Sequence, residues 1–232
     1  MTAKAFELLQ TYDYGDDRKA LKPIDDAIIA TQNDEAGRKE LEDKMVAVLK
    51  SDASRNGKDY VCRKLKVIGT EASVPVLAGM LADADHAHMA RYALESMPNE
   101  AAGKALRDAL GKVGGALKIG VIGSLGVRQD GESVGSLQSL LSDADGGVAK
   151  AAARALAAIR TPAAAKALMA ASPNDAAADA AVDAMFACAE QLVASGDANT
   201  ALQIYSKMAT SPKKHIKLAA SNGLLACASA VR

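Results

Sequence analysis

The sequence predicts an all-α fold of about seven stacked antiparallel helix pairs, forming a single domain over residues 1–232. Three observations predict it. Apolar residues recur at helical spacing nearly throughout, and Gly, Pro or short polar residues interrupt that pattern roughly every 10–18 residues. A leucine pattern also recurs with a period of about 30 residues.

Helical periodicity is clearest where no glycine intervenes. Val74, Leu77, Ala78 and Leu81 follow the i, i+3, i+4, i+7 spacing of one helix face. Alanine supplies 51 of the 232 residues, whereas Phe and Tyr together supply 7 and Trp is absent. Small side chains must therefore form most of the core, with helices close together.

Helix starts are predicted from side chains that can accept a hydrogen bond from an unpaired backbone N–H. The candidate N-caps are Thr70, Asp85, Asn99, Asp145, Thr161, Asp197 and Ser211. Pro23 lies too far into the first helical segment for a first-turn proline. We therefore expect a helix to kink or begin there.

The internal repeat carries the fold assignment. Equivalent leucines, spaced 29 to 34 residues apart, are Leu77, Leu106, Leu137, Leu168 and Leu202. A two-helix unit of that length cannot bury its apolar faces alone, so neighbouring units must stack. The predicted helix pairs lie near residues 3–31, 34–69, 71–97, 99–127, 131–160, 162–195 and 197–231.

Residues 65–94 and 125–159 resemble HEAT repeats, in particular the short HEAT-like repeats named for phycobilisome lyases. The resemblance covers about residues 60–170. This segment is also similar to the HEAT-repeat segments of bacterial multidomain proteins. It implies a right-handed α-solenoid, armadillo-like in architecture, that binds other macromolecules. It implies no reaction, because such folds host many functions.

Composition limits the classes of partner. The 28 Lys and Arg residues balance 28 Asp and Glu, so we expect no nucleic-acid partner. No apolar run reaches the roughly 18–20 residues of a membrane span, so we expect a soluble chain without membrane insertion. Its compartment stays open between the cytoplasm and export with a presequence removed beforehand. Cys62, Cys188 and Cys227 are predicted to be buried thiols.

A metal site is the first chemical hypothesis to weigh, at Asp83, Asp85, His86 and His88. The internal repeat places two aspartates at the equivalent positions near residues 143–145, without histidine. Helix capping is therefore the favoured interpretation, and we expect no catalytic, metal or cofactor site. The glycine-rich segments 111–115 and 120–126 are interpreted as close helix contacts rather than phosphate loops.

Basic residues on the second helix of each pair are the candidate partner-binding residues. Helical wheels place Arg63, Arg91, Lys150 and Arg154 away from the core, on a surface that HEAT-like solenoids make concave, and with Tyr92 they would form a binding row. The favoured alternative is an intramolecular ladder. In it, these cations would pair with neighbouring carboxylates, namely Asp59, Asp85, Glu95 and Asp145.

Leu218 and Leu225 fall on the outer side of the last predicted helix. A terminal repeat normally presents a polar outer face. We therefore expect this surface to meet a protein partner or a further domain of a longer chain, with a homodimer through the C-terminal helix as one form of that contact.

The leading functional hypothesis is a non-catalytic HEAT-repeat scaffold or adaptor for protein–protein interaction. A bilin-lyase-like enzyme or subunit is the alternative that the repeat resemblance suggests. A HEAT-like DNA glycosylase is disfavoured because it would need a cationic groove and stacking aromatics. A HEAT-type metal hydroxylase is disfavoured because no His-Glu dipeptide occurs.

Overall fold

The computed structural model describes residues 2–230, and within that range the only regular elements are helices. Fourteen α-helices form seven consecutive pairs there, with short 3-10 segments before α2, α9 and α12 and after α5. The pairs are α1 (Thr2–Leu8) and α2 (Lys22–Ala30), α3 (Glu35–Lys50) and α4 (Arg55–Ile68), α5 (Val74–Gly79) and α6 (Ala87–Ser96), α7 (Glu100–Ala109) and α8 (Gly115–Val127), α9 (Val134–Leu140) and α10 (Gly146–Ile159), α11 (Pro162–Ala170) and α12 (Ala178–Ala194), and α13 (Ala198–Ala209) and α14 (Lys214–Ala230).

Each helix pair occupies a predicted segment, although the expected last boundary at residue 231 lies outside the described residues. The expected break near Pro23 is also found, because α2 begins at Lys22 with the proline in its first turn. There the missing N–H of proline costs no helical hydrogen bond.

Four predicted caps are confirmed, since each side chain accepts from a backbone N–H in the first turn of its helix: Asn99, Asp145, Thr161 and Asp197. Two are wrong. α5 follows Ser73 and α6 follows His86, so neither Thr70 nor Asp85 is the N-cap. Ser211 binds the Lys213 N–H at 3.2 Å, in the turn before α14.

The chain divides into two compact units, Met1–Ser124 and Leu125–Arg232. In the first unit, α4 packs against α3 and α6, while α5 packs against α6 and α7. Leu65, Leu77, Leu94 and Leu106 are fully buried between them. The loop after α1 is joined to α4 because the Ser54 hydroxyl donates to the Tyr12 carbonyl at 2.6 Å.

The second unit repeats this arrangement with smaller side chains. α10 contacts α9, α11 and α12, and α12 in turn contacts α13 and α14. Ala152, Ala153 and Leu156 of α10 are fully buried. A side chain at Gly126 would press on the backbone of Ala155, which shows how closely the helices approach. That closeness is the expected consequence of an alanine-rich core.

The main helix contacts join neighbours one or two places apart in chain order. First helices contact first helices (α3 with α5, α5 with α7, α9 with α11), and second helices contact second helices (α4 with α6, α10 with α12, α12 with α14). This is the contact pattern of an all-α solenoid, in which each pair shields the next. The predicted fold class is therefore confirmed.

The three cysteines are free and buried, as predicted. Burial raises the pKa of the Cys62 thiol to about 12 and that of Cys188 to about 11. Protonated thiols in such surroundings behave as small apolar side chains rather than as nucleophiles.

Candidate functional site

The second helices present a polar face on the side away from the core. On α4, Val61 and Leu65 are buried whereas Arg63 is exposed. On α10, Lys150 and Arg154 are likewise exposed. The predicted orientation of these three cations is therefore confirmed, because helical spacing alone fixes which side of a packed helix meets solvent.

In the first unit, Tyr92 of α6 lies between two cations of α4. The Lys66 ammonium is 3.9 Å from the centre of the tyrosine ring, and the Arg63 guanidinium carbon is 5.9 Å from it. A hydrogen bond from Lys66 and its positive charge lower the pKa of the Tyr92 hydroxyl. Arg63, Lys66 and Tyr92, termed here the α4–α6 basic patch, thus bring two cations close to one aromatic ring.

Arg91, also of α6, was expected to point away from the core, but its side chain is partly packed against a neighbouring helix. It is half-buried, its guanidinium lies against Gly120 of α8, and its Nε has no hydrogen-bond partner. Burial lowers the pKa of Arg91, and nearby Glu95 opposes that effect. Glu95 itself accepts a hydrogen bond from the Ser124 hydroxyl at 2.7 Å. Arg91 therefore supports helix packing as well as the polar face.

The favoured intramolecular ladder is wrong for three of the candidates. Across residues 2–230, no carboxylate lies within 4.0 Å of the charged groups of Arg63, Lys150 or Arg154. The interaction with the Asp85 loop is made by Arg55, whose Nε donates to the backbone carbonyl of Asp85 at 3.2 Å. The exposed cations of the second helices therefore keep their charge available.

The burial of Asp59 explains why this residue does not form the expected ion pair with Arg63. Its side chain is almost wholly buried, and its Oδ1 has no hydrogen-bond partner in the described part of the chain. Burial raises the pKa of the Asp59 carboxyl, while Arg55, Arg63 and two histidines oppose that rise. The charge of Arg63 therefore acts on Asp59 through space, and within residues 2–230 the two side chains form no direct ion pair.

The aspartate–histidine loop is built as a turn. Asp83 accepts from the Asp85 N–H at 2.8 Å and bonds His86 Nδ1 at 2.9 Å, contacts that lower the pKa of the Asp83 carboxyl. The equivalent Asp143 accepts from the Asp145 N–H at 2.9 Å. Asp83 and Asp143 each close their own loop, but only in the second loop does the following aspartate, Asp145, also cap a helix. Within residues 2–230, no three His, Cys, Asp or Glu side chains gather closely enough to hold a metal ion.

The second unit carries two neighbouring clefts along its second helices. One, of about 530 Å³, lies between α10 and α12; its lining residues include Lys150, Arg154, Asp179 and Asp183. The other, of about 430 Å³, lies between α12 and α14. Its apolar lining residues are Val182, Phe186, Ile216 and Ala219, and its polar lining residues are Lys213, His215 and the same two aspartates. The two clefts therefore share the aspartate ridge of α12.

The predicted apolar face of the last helix is present. Leu218 and Leu225 are 65% and 68% exposed, whereas Ile216 and Cys227 on the inner face are buried. No helix within residues 2–230 has the length and apolarity that crossing a bilayer demands.

Several residues of these surfaces were missed by sequence reasoning. Lys66 follows Arg63 by three positions, a spacing that places both on one helix face and that could have identified it. Asp179 and Asp183 are likewise one turn apart on α12. Phe186 had no signal, because its place in a cleft depends on which helix packs beside α12.

Residues 114–186 match the family model of HEAT repeats. No curated protein matches the chain. Among solved structures, one engineered protein is 21% identical with a TM-score of 0.47, covering 81% of this chain and 96% of its own. A second engineered protein is 20% identical with a TM-score of 0.46, covering 97% and 67%. A designed armadillo repeat protein is 19% identical with a TM-score of 0.43, covering 79% and 98%.

Proposed function

We propose that this HEAT-like repeat protein is a non-catalytic scaffold that binds a protein partner. In each of the two compact units, the proposed contact surface is the polar face of that unit's second helices; in the second unit the exposed face of α14 adds to it. The observation that carries the proposal is that Arg63, Lys150 and Arg154 are exposed and form no ion pair with any residue from 2 to 230.

Unpaired surface cations favour recognition of an acidic partner. Charge complementarity accelerates encounter and selects among partners more than it adds affinity. The α4–α6 basic patch adds Tyr92, and tyrosine and arginine are the residue types that contribute most often to binding energy at interfaces. A surface of this composition suits a protein partner whose contacting side chains are acidic.

The C-terminal end offers a second contact. Leu218 and Leu225 are seven residues apart, which places them on one stripe of α14. An apolar stripe at the end of a repeat stack suits a further domain, a partner or a second copy of the chain.

The test of the second-helix surface is affinity capture from native lysate with quantitative mass spectrometry. The variant Arg63→Glu/Lys150→Glu/Arg154→Glu should lose at least about tenfold of the specific partner, because each reversal repels an acidic surface. The matched control changes three exposed cations outside the second helices: Lys4→Glu/Lys112→Glu/Lys166→Glu. Equal capture by both variants would exclude the second helices as the contact surface.

The C-terminal contact is tested separately with Leu218→Ser/Leu225→Ser. We expect this variant to lose either self-association in sedimentation velocity or partner capture, while its circular dichroism stays unchanged. If both properties match those of the unsubstituted chain, the C-terminal end is not an interface.

A further inference from the structure

We propose that the paired clefts of the second unit bind an extended peptide segment of the partner that carries an acidic side chain and, three residues later, a bulky apolar one. This inference rests on the proposed function and names the ligand chemistry of one part of its surface.

The acidic preference follows from the charges around the α10–α12 cleft. Lys150 and Arg154 form one wall, and the two aspartates stand on the opposite ridge. Asp179 is engaged by the Lys213 ammonium at 2.5 Å, and this contact lowers the pKa of the Asp179 carboxyl. Among the residues that the structure describes, Lys150, Arg154 and Asp183 have no ion-pair partner, so two cations face one carboxylate and the cleft has an excess of positive charge for a ligand carboxylate.

The floor of this cleft is made of small side chains. Ala157 of α10 and Ala180, Ala184 and Ala187 of α12 leave the space between the two helices open. A peptide main chain can therefore approach closely, and its N–H groups can donate to Asp183, the acceptor on the ridge.

The apolar preference comes from the α12–α14 cleft. Val182 and Phe186 of α12 face Ile216 of α14, and the cleft volume of about 430 Å³ accommodates a side chain of leucine or phenylalanine size. Phe186 is held in place by Tyr205, whose ring centre is 6.1 Å away. The aromatic wall is thus preorganised, which reduces the entropy cost of binding.

The distance between the two clefts sets the spacing of the motif. Packed helices lie about 8–10 Å apart, so two successive grooves are separated by about 10 Å. An extended segment in the polyproline II conformation advances about 3.1 Å per residue and directs every third side chain to the same side, so two residues three apart span that distance and face the same surface. A peptide crossing α12 would place its acidic side chain in one cleft and its apolar side chain in the next.

The test is fluorescence anisotropy on the full chain with a labelled eight-residue peptide containing two adjacent glutamates and a leucine three residues after the second. Replacing both glutamates by lysine should weaken binding of the peptide at least about tenfold. Replacing the leucine by serine should weaken it about fivefold. Raising the salt concentration should also weaken binding of the glutamate peptide, because exposed charges are screened.

Two protein variants locate the site. Lys150→Glu/Arg154→Glu should weaken the glutamate peptide at least about tenfold, whereas the control Lys166→Glu/Lys217→Glu should change its affinity less than about twofold. Ala219→Gln places a polar side chain at an exposed position of the apolar cleft. This variant should bind the leucine and serine peptides equally.

No saturable binding, equal binding of the glutamate and lysine peptides, or indifference to the Lys150/Arg154 reversal would each overturn the inference. If partner capture still depends on Arg63, Lys150 and Arg154 in that event, the scaffold proposal stands without it. If the peptide binds as expected but partner capture does not depend on Arg63, Lys150 and Arg154, the peptide site stands and the proposed contact surface of the scaffold is wrong.

Discussion

Glu42 offers a direct measure of how one helix pair stabilises the next. Only 2% of this residue is exposed, and its carboxylate accepts from the Thr70 N–H at 2.7 Å and from the Thr70 hydroxyl at 2.8 Å. Glu42 lies on α3 and Thr70 lies in the loop before α5, so the two bonds join the first helix of one pair to the loop that leads into the next pair.

Removing the carboxylate should be costly. Hydrogen bonds to a charged group contribute about 1.5–3 kcal/mol each; Glu42→Ala removes two of them, and water can replace part of the loss because Thr70 is exposed. We expect Glu42→Ala to lower the free energy of unfolding by about 3 kcal/mol. Thr70→Val keeps the N–H bond to Glu42 but removes the hydroxyl bond to Glu42 and the acceptor of the exposed Ala72 N–H, and it should cost about 1.5 kcal/mol. The double variant should cost less than the sum by about 1–2 kcal/mol.

The assay is denaturant unfolding, with hydrogen exchange of the α3 and α5 amides as a local readout, because repeat stacks can unfold in steps. Glu40→Ala is the matched control. Glu40 is an exposed carboxylate on the same helix, paired with Lys44 at 2.7 Å, and its loss should change stability by less than about 0.5 kcal/mol. Additivity of the Glu42 and Thr70 substitutions within about 0.5 kcal/mol would refute the coupling.

Two further predictions concern single positions. Because burial raises the pKa of Asp59, the folded chain binds its proton more tightly than the unfolded chain; ionised Asp59 therefore lowers stability above the folded pKa. Asp59→Asn should therefore be more stable than the unsubstituted chain at pH 7. In thermal unfolding, the difference in melting temperature should shrink as the pH falls toward about 3.9, the pKa of an unfolded aspartate. A difference that does not change with pH, or an equal difference for the exposed control Asp52→Asn, would contradict this prediction. Gly223→Ala should destabilise the α13–α14 contact by about 1–3 kcal/mol, because a methyl group there overlaps the Tyr205 ring. The control Gly135→Ala lies in open space and should be neutral or stabilising by up to about 1 kcal/mol. Equal melting temperatures for the two glycine variants would argue against the close approach of Gly223 to Tyr205.

Local signals were read correctly where a few neighbouring residues decide the outcome. Asn99 and Asp145 cap helices because their side chains reach N–H groups two or three residues onward. The same reasoning failed at Thr70, whose hydroxyl binds a carboxylate 28 residues away. It also failed for the expected ladder, because Asp59 is enclosed by packing that its own helix does not reveal.

The sequence by itself determined the all-α class, the helix pairs and the direction of Arg63, Lys150 and Arg154, since helical periodicity and a leucine repeat depend only on residues close in the chain. The tertiary structure decided which cations stay unpaired and how Phe186 comes to line a cleft. Those features depend on distances between helices that are separate in sequence. Stacking of small alanine side chains sets these distances, and no local pattern encodes them.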